Sequence, residues 1–435
     1  MAQTYLIDDD AEMEAGCVEV LEDYADEIHG VSKKVRRAIE EYLGSEHVVD
    51  IPISAARYYC DLVAHSLERQ READGWKTEQ VLGRTGGQAR YTNVSVGPGK
   101  EEVLLQAGIV FLRKRDVRLT LSVDLDPTEK SDVVVSVAAA QRRHGARFAE
   151  GLVLRLREKK LYRGAKLSFA GTPTFLELAT LSWDDISVPD ETRNAIVAHT
   201  TRFLEWAPQL EPHGVSPRRG LLLTGRPGTG KTLVCKILMN TSPGVTCLVA
   251  HTAYMMHATY IDELYQMAAE LSPTIVFLED IDLIGQGRLR SGYGMADALS
   301  RLLFALDGVQ DCRNVVTVAT TNWLEILDEA LKDRPSRFDR IISIDPPDAE
   351  QRRHYLNYLS LRVPLPHDIL EYMVESTAGM TPAQIQEVVH CAAIESAIPP
   401  DAPEYWRNAF SMASIRAALR HVKHTNAGKV GFTGG

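Results

Sequence analysis

Apolar residues near the amino terminus recur at helical spacing, as in Val18, Leu21, Ala25 and Ile28. The period predicts helices over residues 12–47 and 54–72. A glycine-rich break runs from Gly83 to Gly99, and the pattern then changes. Glu102–Leu112, Val117–Leu125 and Val133–Val137 are rich in Val, Leu and Ile and read as strands. Arg142–Lys159 reads as an amphipathic helix with many basic residues, and Lys166–Phe169 as a final strand. Together these predict a mixed α/β N-terminal domain ending near residue 178.

A different alternation begins at Leu181. Short apolar runs at Gly220–Leu223, Val245–Val249, Thr274–Leu278 and Val315–Thr320 are separated by helical stretches. Strands spaced in this way form a parallel sheet joined by helical crossovers, an α/β architecture. Pro346 and Pro347 punctuate its end. Beyond them, 349–361, 368–377, 382–396 and 414–424 read as helices, with Thr381 and Pro382 as N-cap and first helical residue of the third. The expected organisation is an arm over 1–30, an N-terminal domain over 31–178, an α/β unit over 181–347, a helical unit over 348–424 and a flexible tail over 425–435.

Charge changes this picture at one end. The chain has 435 residues and a formal net charge of −11. Residues 1–30 hold ten acids and no Lys or Arg, and the rest is nearly balanced. The excess is therefore an acidic arm, read as a tether or an autoinhibitory segment. Overall acidity disfavours a surface that coats nucleic acid. The longest apolar run, Val103–Leu112, is interrupted by Gln106 and is too short to span a bilayer. Six cysteines without a C-x-x-C pair suggest neither a disulfide framework nor a zinc site. No signal peptide is recognisable, so a cytoplasmic location is expected.

The chemistry is concentrated in two places. Gly225-Arg226-Pro227-Gly228-Thr229-Gly230-Lys231-Thr232 fits G-x-x-x-x-G-K-[ST], follows an apolar strand and opens a helix at Leu233. Glycines allow backbone N–H groups to turn inward around phosphate oxygens at a helix N-terminus. Lys231 would supply a positive charge at the β/γ-phosphates, and the Thr232 hydroxyl a ligand for Mg²⁺. About fifty residues on, Pro273–Leu278 leads into Glu279, Asp280 and Asp282. A strand ending in acids beside a phosphate loop suits a metal-side carboxylate, assigned to Glu279, and a group that positions or deprotonates water, assigned to Asp280.

With these residues in place, the chain from about Ser182 to Thr425 resembles the AAA family of ATPases. Trp183-Asp184-Asp185-Ile186 resembles the family's linker at the adenine, and Leu302–Gly308 its helix after the second acidic motif. Thr320-Thr321-Asn322 resembles the sensor-1 strand end, with Asn322 as the water-orienting amide. Arg334–Arg340 resembles the region of the arginine fingers, with Arg337 and Arg340 reaching the neighbouring subunit's γ-phosphate. The resemblance implies a P-loop NTPase module with helices on both faces of its sheet, a helical lid, ATP and Mg²⁺, and a ring of six identical subunits. It also implies a pore loop gripping polypeptide, matched here by Tyr254 and Met255, with Gln286–Gly294 as a second loop.

One departure stands out. The family commonly reads Asp-Glu where this chain reads Glu279-Asp280, an order similar to that of the mitochondrial Rieske-protein translocases. The swap shortens the reach to water by about one C–C bond, roughly 1.5 Å. Absence of H-E-x-x-H argues against an attached zinc protease. The reading is an ATP-driven ring that remodels, unfolds or disassembles a protein substrate, selected by the N-terminal domain. The alternatives are a nucleic-acid-linked ATPase, supported by the basic helix around Arg142, Arg143, Arg147, Arg155 and Arg157, and a nucleotide-gated scaffold.

Overall fold

A computed structural model describes residues 18–20, 31–255, 259–282, 301–307, 312–327, 337–361, 363–395 and 410–427. The chain divides into two compact units, Met1–Glu177 with Gln266–Ser272, and Leu178–Tyr265 with Pro273–Gly435.

The first unit is built on a mostly antiparallel sheet. Strands β1 (Val18–Val20), β2 (Val48–Ala55), β7 (Ser131–Ala138), β6 (Val117–Leu125) and β5 (Lys100–Lys114) lie side by side in that order. The far edge of the long β5 is shared by β3 (Lys77–Leu82) and β4 (Arg90–Gly97). Helix α1 (Lys33–Leu43) packs Val35, Ile39 and Leu43 on Ile109, Phe111 and Ala138. Helix α3 (Arg142–Glu158) covers the opposite face, because Gly145 meets Val137, the neighbour of Ala138. Helix α2 (Cys60–Asp74) packs beside α3. An antiparallel pair, β8 (Lys166–Phe169) and β9 (Pro173–Phe175), follows.

Three expectations for this unit are corrected. The helix expected over 12–47 is broken: Val18–Val20 is a strand paired with Ile53–Ala55, and α1 ends at Gly44. Gly44 adopts φ +66 and donates its N–H to the Glu40 and Glu41 carbonyls, a left-handed cap that stops a helix. The helix expected from residue 54 starts at Cys60, because Val48–Ala55 is drawn into the sheet against β7. The break from Gly83 to Gly99 contains a strand, Arg90–Gly97, whose alternation was masked by its flanking glycines.

The second unit holds five parallel strands in the order β14 (Arg340–Ser343), β10 (Arg218–Thr224), β13 (Val315–Thr321), β12 (Thr274–Leu278) and β11 (Thr246–Ala250). Every residue of β12 and β13 is buried, so both faces of the sheet are covered. Its helices include α4 (Asp190–His199), α5 (Thr201–Leu210), α6 (Lys231–Asn240) and the first residues of α7 (Tyr260–Glu270), whose remainder belongs to the first unit. Helices α8 (Ala349–Ser360), α9 (His367–Ser376), α10 (Pro382–Glu395) and α11 (Met412–Ala427) enclose a separate apolar cluster that includes Leu356, Met373, Ile385, Val388 and Ile415. Asp348 and Gln351 form a capping box at the start of α8. Thr381 and Gln384 exchange bonds in the same way at α10, Thr381 N to Gln384 Oε1 at 2.9 Å and Gln384 N to Thr381 Oγ1 at 3.4 Å. Among the described residues no helix is long and apolar enough to cross a membrane.

Candidate active site

Parallel strands bring their carboxyl ends to one edge, so residues that follow them in sequence become neighbours there. The loop Gly225–Gly230 leaves β10, Glu279 and Asp280 leave β12, and Asn322 leaves β13. Gly228 and Gly230 hold φ of +82 and +109, conformations open to glycine. At Gly225 a methyl group would lie 2.3 Å from the Ile344 carbonyl oxygen. The loop is therefore backbone alone where a phosphate cradle requires it.

Lys231 is buried at the mouth of α6. Its Nζ donates to the Gly225 carbonyl at 2.6 Å, the Arg226 carbonyl at 3.2 Å and Asn322 Oδ1 at 2.8 Å. Asn322 Nδ2 in turn donates to Asp280 Oδ1 at 3.0 Å. One amide thus joins the lysine to the carboxylate. Burial lowers the Lys231 pKa, and the nearby charges of Asp280 and Asp282 oppose that shift. Asp280 sits at φ +51, held by a 3.0 Å bond from its N–H to Thr320 Oγ1. A left-handed non-glycine backbone at such a point costs about 1 kcal/mol or more and persists because its surroundings fix it.

Glu279 is half-buried beneath this group. Burial raises its pKa, the neighbouring Asp280 raises it further, and Lys236 opposes. Thr232 is exposed at the first turn of α6, and Leu233 is partly buried behind it. Glycine backbone, a lysine, a hydroxyl and two carboxylates at one sheet edge fit a nucleoside triphosphate with Mg²⁺, and Thr232 and Glu279 carry oxygens that could hold the metal.

The linker and the helical cluster meet the loop from other sides. Asp185 forms a capping box with Ser182 and accepts from Tyr358 of α8 at 3.1 Å, so its carboxylate is engaged within the fold. Ile186 packs against Gly230, where a methyl group would lie 2.9 Å from its Cδ1. Ala383 N donates to the Gly228 carbonyl at 3.3 Å, and Arg226 Nη1 to the Gly379 carbonyl at 3.5 Å. Pro227 is exposed and Thr229 buried, its Oγ1 bonded to the Arg226 carbonyl at 3.0 Å.

The sequence pattern alone gives Asp282 no role. It is buried, and its Oδ1 accepts from Thr321 Oγ1 at 3.1 Å and from the Asn322 N–H at 3.3 Å. It therefore fixes the turn that presents Asn322. Its only signal in the sequence is a third acid two residues beyond the pair.

The two arginines part company. Arg340 opens β14 with an exposed side chain. Arg337 is buried, and its Nε and Nη2 each donate to the Asp307 carboxylate at 2.8 Å. Reaching across a subunit boundary would require that pair to break. The two residues matched to a pore loop by resemblance also differ, Tyr254 being exposed and stacked on Tyr260 while Met255 is buried. Gln286–Gly294 and Arg334 lie outside the described residues.

A phosphate loop, a two-acid strand end and an amide strand end on a parallel sheet, followed by a helical cluster, define a P-loop nucleotide-binding module. Residues 221–346 match the ATPase family associated with various cellular activities (AAA), and the chain carries an AAA ATPase domain. The chain is 34% identical over 225 residues to ATP-dependent zinc metalloprotease FtsH 2 of Sphaerobacter thermophilus, covering 50% of this chain and 34% of that one. It is 33% identical over 222 residues to the proteasome-activating nucleotidase of Methanopyrus kandleri, covering 49% and 51%. Protein CdcH of Halobacterium salinarum matches at 29% over 259 residues, covering 58% and 34%. The chain thus spans about a third to a half of the length of these curated relatives.

Proposed function

We propose that the protein hydrolyses ATP with Mg²⁺ and works as a homo-oligomeric ring, six subunits by family likeness, that remodels protein substrates. The observation that carries the reading is the Lys231–Asn322–Asp280 chain of contacts, which joins the phosphate loop, the sensor amide and an acid in one hydrogen-bonded unit. Mg²⁺, when bound, offsets phosphate charge and orients the oxygens. Lys231 binds the β/γ-phosphates once released from the loop carbonyls. Asp280, with its shorter reach than glutamate, orients or deprotonates water, and Asn322 fixes the water's position. Asp185 and Ile186 border the adenine side.

In a ring, Arg340 supplies the guanidinium that completes a neighbour's site, because its side chain is exposed. Head-to-tail contacts that close give such rings. Tyr254 is the aromatic on the pore side, and Met255 packs behind it. The substrate is recognised by the N-terminal unit. The names of two relatives, a protease and a proteasome-activating nucleotidase, support protein rather than nucleic acid as the object of work. Phosphate release from the full chain with Mg²⁺–ATP, against a Lys231→Ala control, tests the reading. Release no greater than that control would remove hydrolysis from it.

A further inference from the structure

The edge of the first sheet carries an unusual occupant. Strand β2 bears Pro52, which has no N–H for a ladder and marks a natural edge strand. Its inner side is fully paired with β7 from Val48 to Ala55. Among the described residues its outer side pairs with Val18–Val20, in the register Val18 with Ala55 and Val20 with Ile53. The visiting strand comes from the one stretch of the chain with ten acids and no basic residue.

The helix that crosses this edge strand is basic at its start, with its arginines on the solvent side. Helix α3 crosses β2 where Gly145 approaches Ile51, a methyl group at Gly145 falling 3.3 Å from Ile51 Cδ1. The same helix contacts β1. Arg142, Arg143 and Arg147 lie within one turn of that crossing, and all three are exposed. A backbone ladder gives affinity to any extended segment, and the arginines favour an acidic one.

We propose that the β2 edge, with the arginine-bearing first turns of α3, is a docking site for extended acidic peptides, and that the chain's own Val18–Val20 is its resident occupant. A tethered strand competes at high effective concentration, so an external peptide binds only weakly until the strand is unseated. The proposal stands apart from the nucleotide chemistry, and its test uses no nucleotide.

The probe is a fluorescent peptide of residues 12–27, titrated by anisotropy into the full chain and into full-length Val18→Pro/Val20→Pro. Proline cannot donate to the ladder. Binding should be about tenfold tighter to the variant, reflecting removal of the tethered competitor. It should weaken about tenfold in Arg143→Glu/Arg147→Glu and fall as salt is raised. A peptide carrying the same two prolines should not bind. Amide exchange at Ile53–Ala55 should quicken in the proline variant while β7 stays protected, which separates unseating from unfolding. Equal affinity of both chains, or equal binding of the proline-bearing peptide, would overturn the proposal. So would a duplex oligonucleotide that binds through these arginines when the acidic peptide does not.

Discussion

The guanidinium of Arg337 and the carboxylate of Asp307 face one another as a two-bond fork, both contacts 2.8 Å, within a single chain. The arginine side chain is 7% exposed and the aspartate 25%. Removing the aspartate would take this carboxylate from a buried cation. Asp307→Ala is therefore expected to destabilise the protein by about 3 kcal/mol, read from urea unfolding, the lower end of the range because the carboxylate is partly solvated. Arg340→Ala, by contrast, should leave the unfolding midpoint unchanged and reduce turnover by at least about a thousandfold, the scale of an arginine finger. Turnover near the parent's in Arg340→Ala would shift that role elsewhere.

Asp282 acts through another residue. Its Oδ1 holds the Asn322 N–H and the Thr321 hydroxyl. Asp282→Asn keeps the volume but weakens both bonds, and a small displacement of a water-orienting group can cost up to about a hundredfold in rate. The expected pattern is a lower kcat with KM for ATP little changed. A raised KM with kcat intact would mean that Asp282 shapes binding instead.

The phosphate loop leaves no room at Gly228. A methyl group there would lie 2.8 Å from Ala383 Cβ and 3.0 Å from Thr381 Oγ1, at φ +82. Gly228→Ala would strain the loop by about 1–3 kcal/mol and push it from the start of α10. Nucleotide affinity by calorimetry should fall tenfold or more, with the apolar cluster of the helical unit intact by near-ultraviolet circular dichroism. Unchanged affinity would mean that the loop and α10 separate when nucleotide binds.

Tyr254 and Met255 are adjacent but not equivalent. Met255→Ala removes a side chain that is 1% exposed and should destabilise by about 2–5 kcal/mol. Tyr254→Ala removes one that is 41% exposed and should leave the unfolding midpoint within about 1 kcal/mol of the parent. If Tyr254 grips substrate, the second change also suppresses stimulation of ATP turnover by an unfolded polypeptide. Stimulation equal to the parent's would place the grip on another residue.

Much of the parallel sheet was legible because its strands are buried on both faces and read as unbroken apolar runs. The phosphate loop was legible because glycine and lysine spacing is dictated by chemistry rather than by context. The N-terminal edge was not. Val18, Leu21 and Ala25 fit a helical period, yet Val18–Val20 pairs with Ile53–Ala55, 33 to 37 positions away in sequence, and pairing over such a distance leaves no local trace. Asp307 was similarly opaque, since an acid in a helix gives no sign of the arginine it will meet. Strand β14 was missed because its four residues, Arg340–Ser343, are too few to show a period.

Two shifted groups set a pH window for the site. Burial and Asp280 raise the Glu279 pKa, so on acidification this carboxylate takes up its proton at a higher pH than an ordinary glutamate, and if it holds Mg²⁺ that ligand is lost with it. Burial lowers the Lys231 pKa, so on the alkaline side the ammonium is lost earlier than in an exposed lysine. Both displacements point inward, and kcat/KM should trace a bell narrower than unperturbed groups would give. Glu279→Gln carries no titrating carboxyl at that position. At saturating Mg²⁺ its residual activity should lose the acid limb and keep the alkaline one. An acid limb unmoved in that variant would assign the descent to Asp280 or Asp282 and detach Glu279 from the metal.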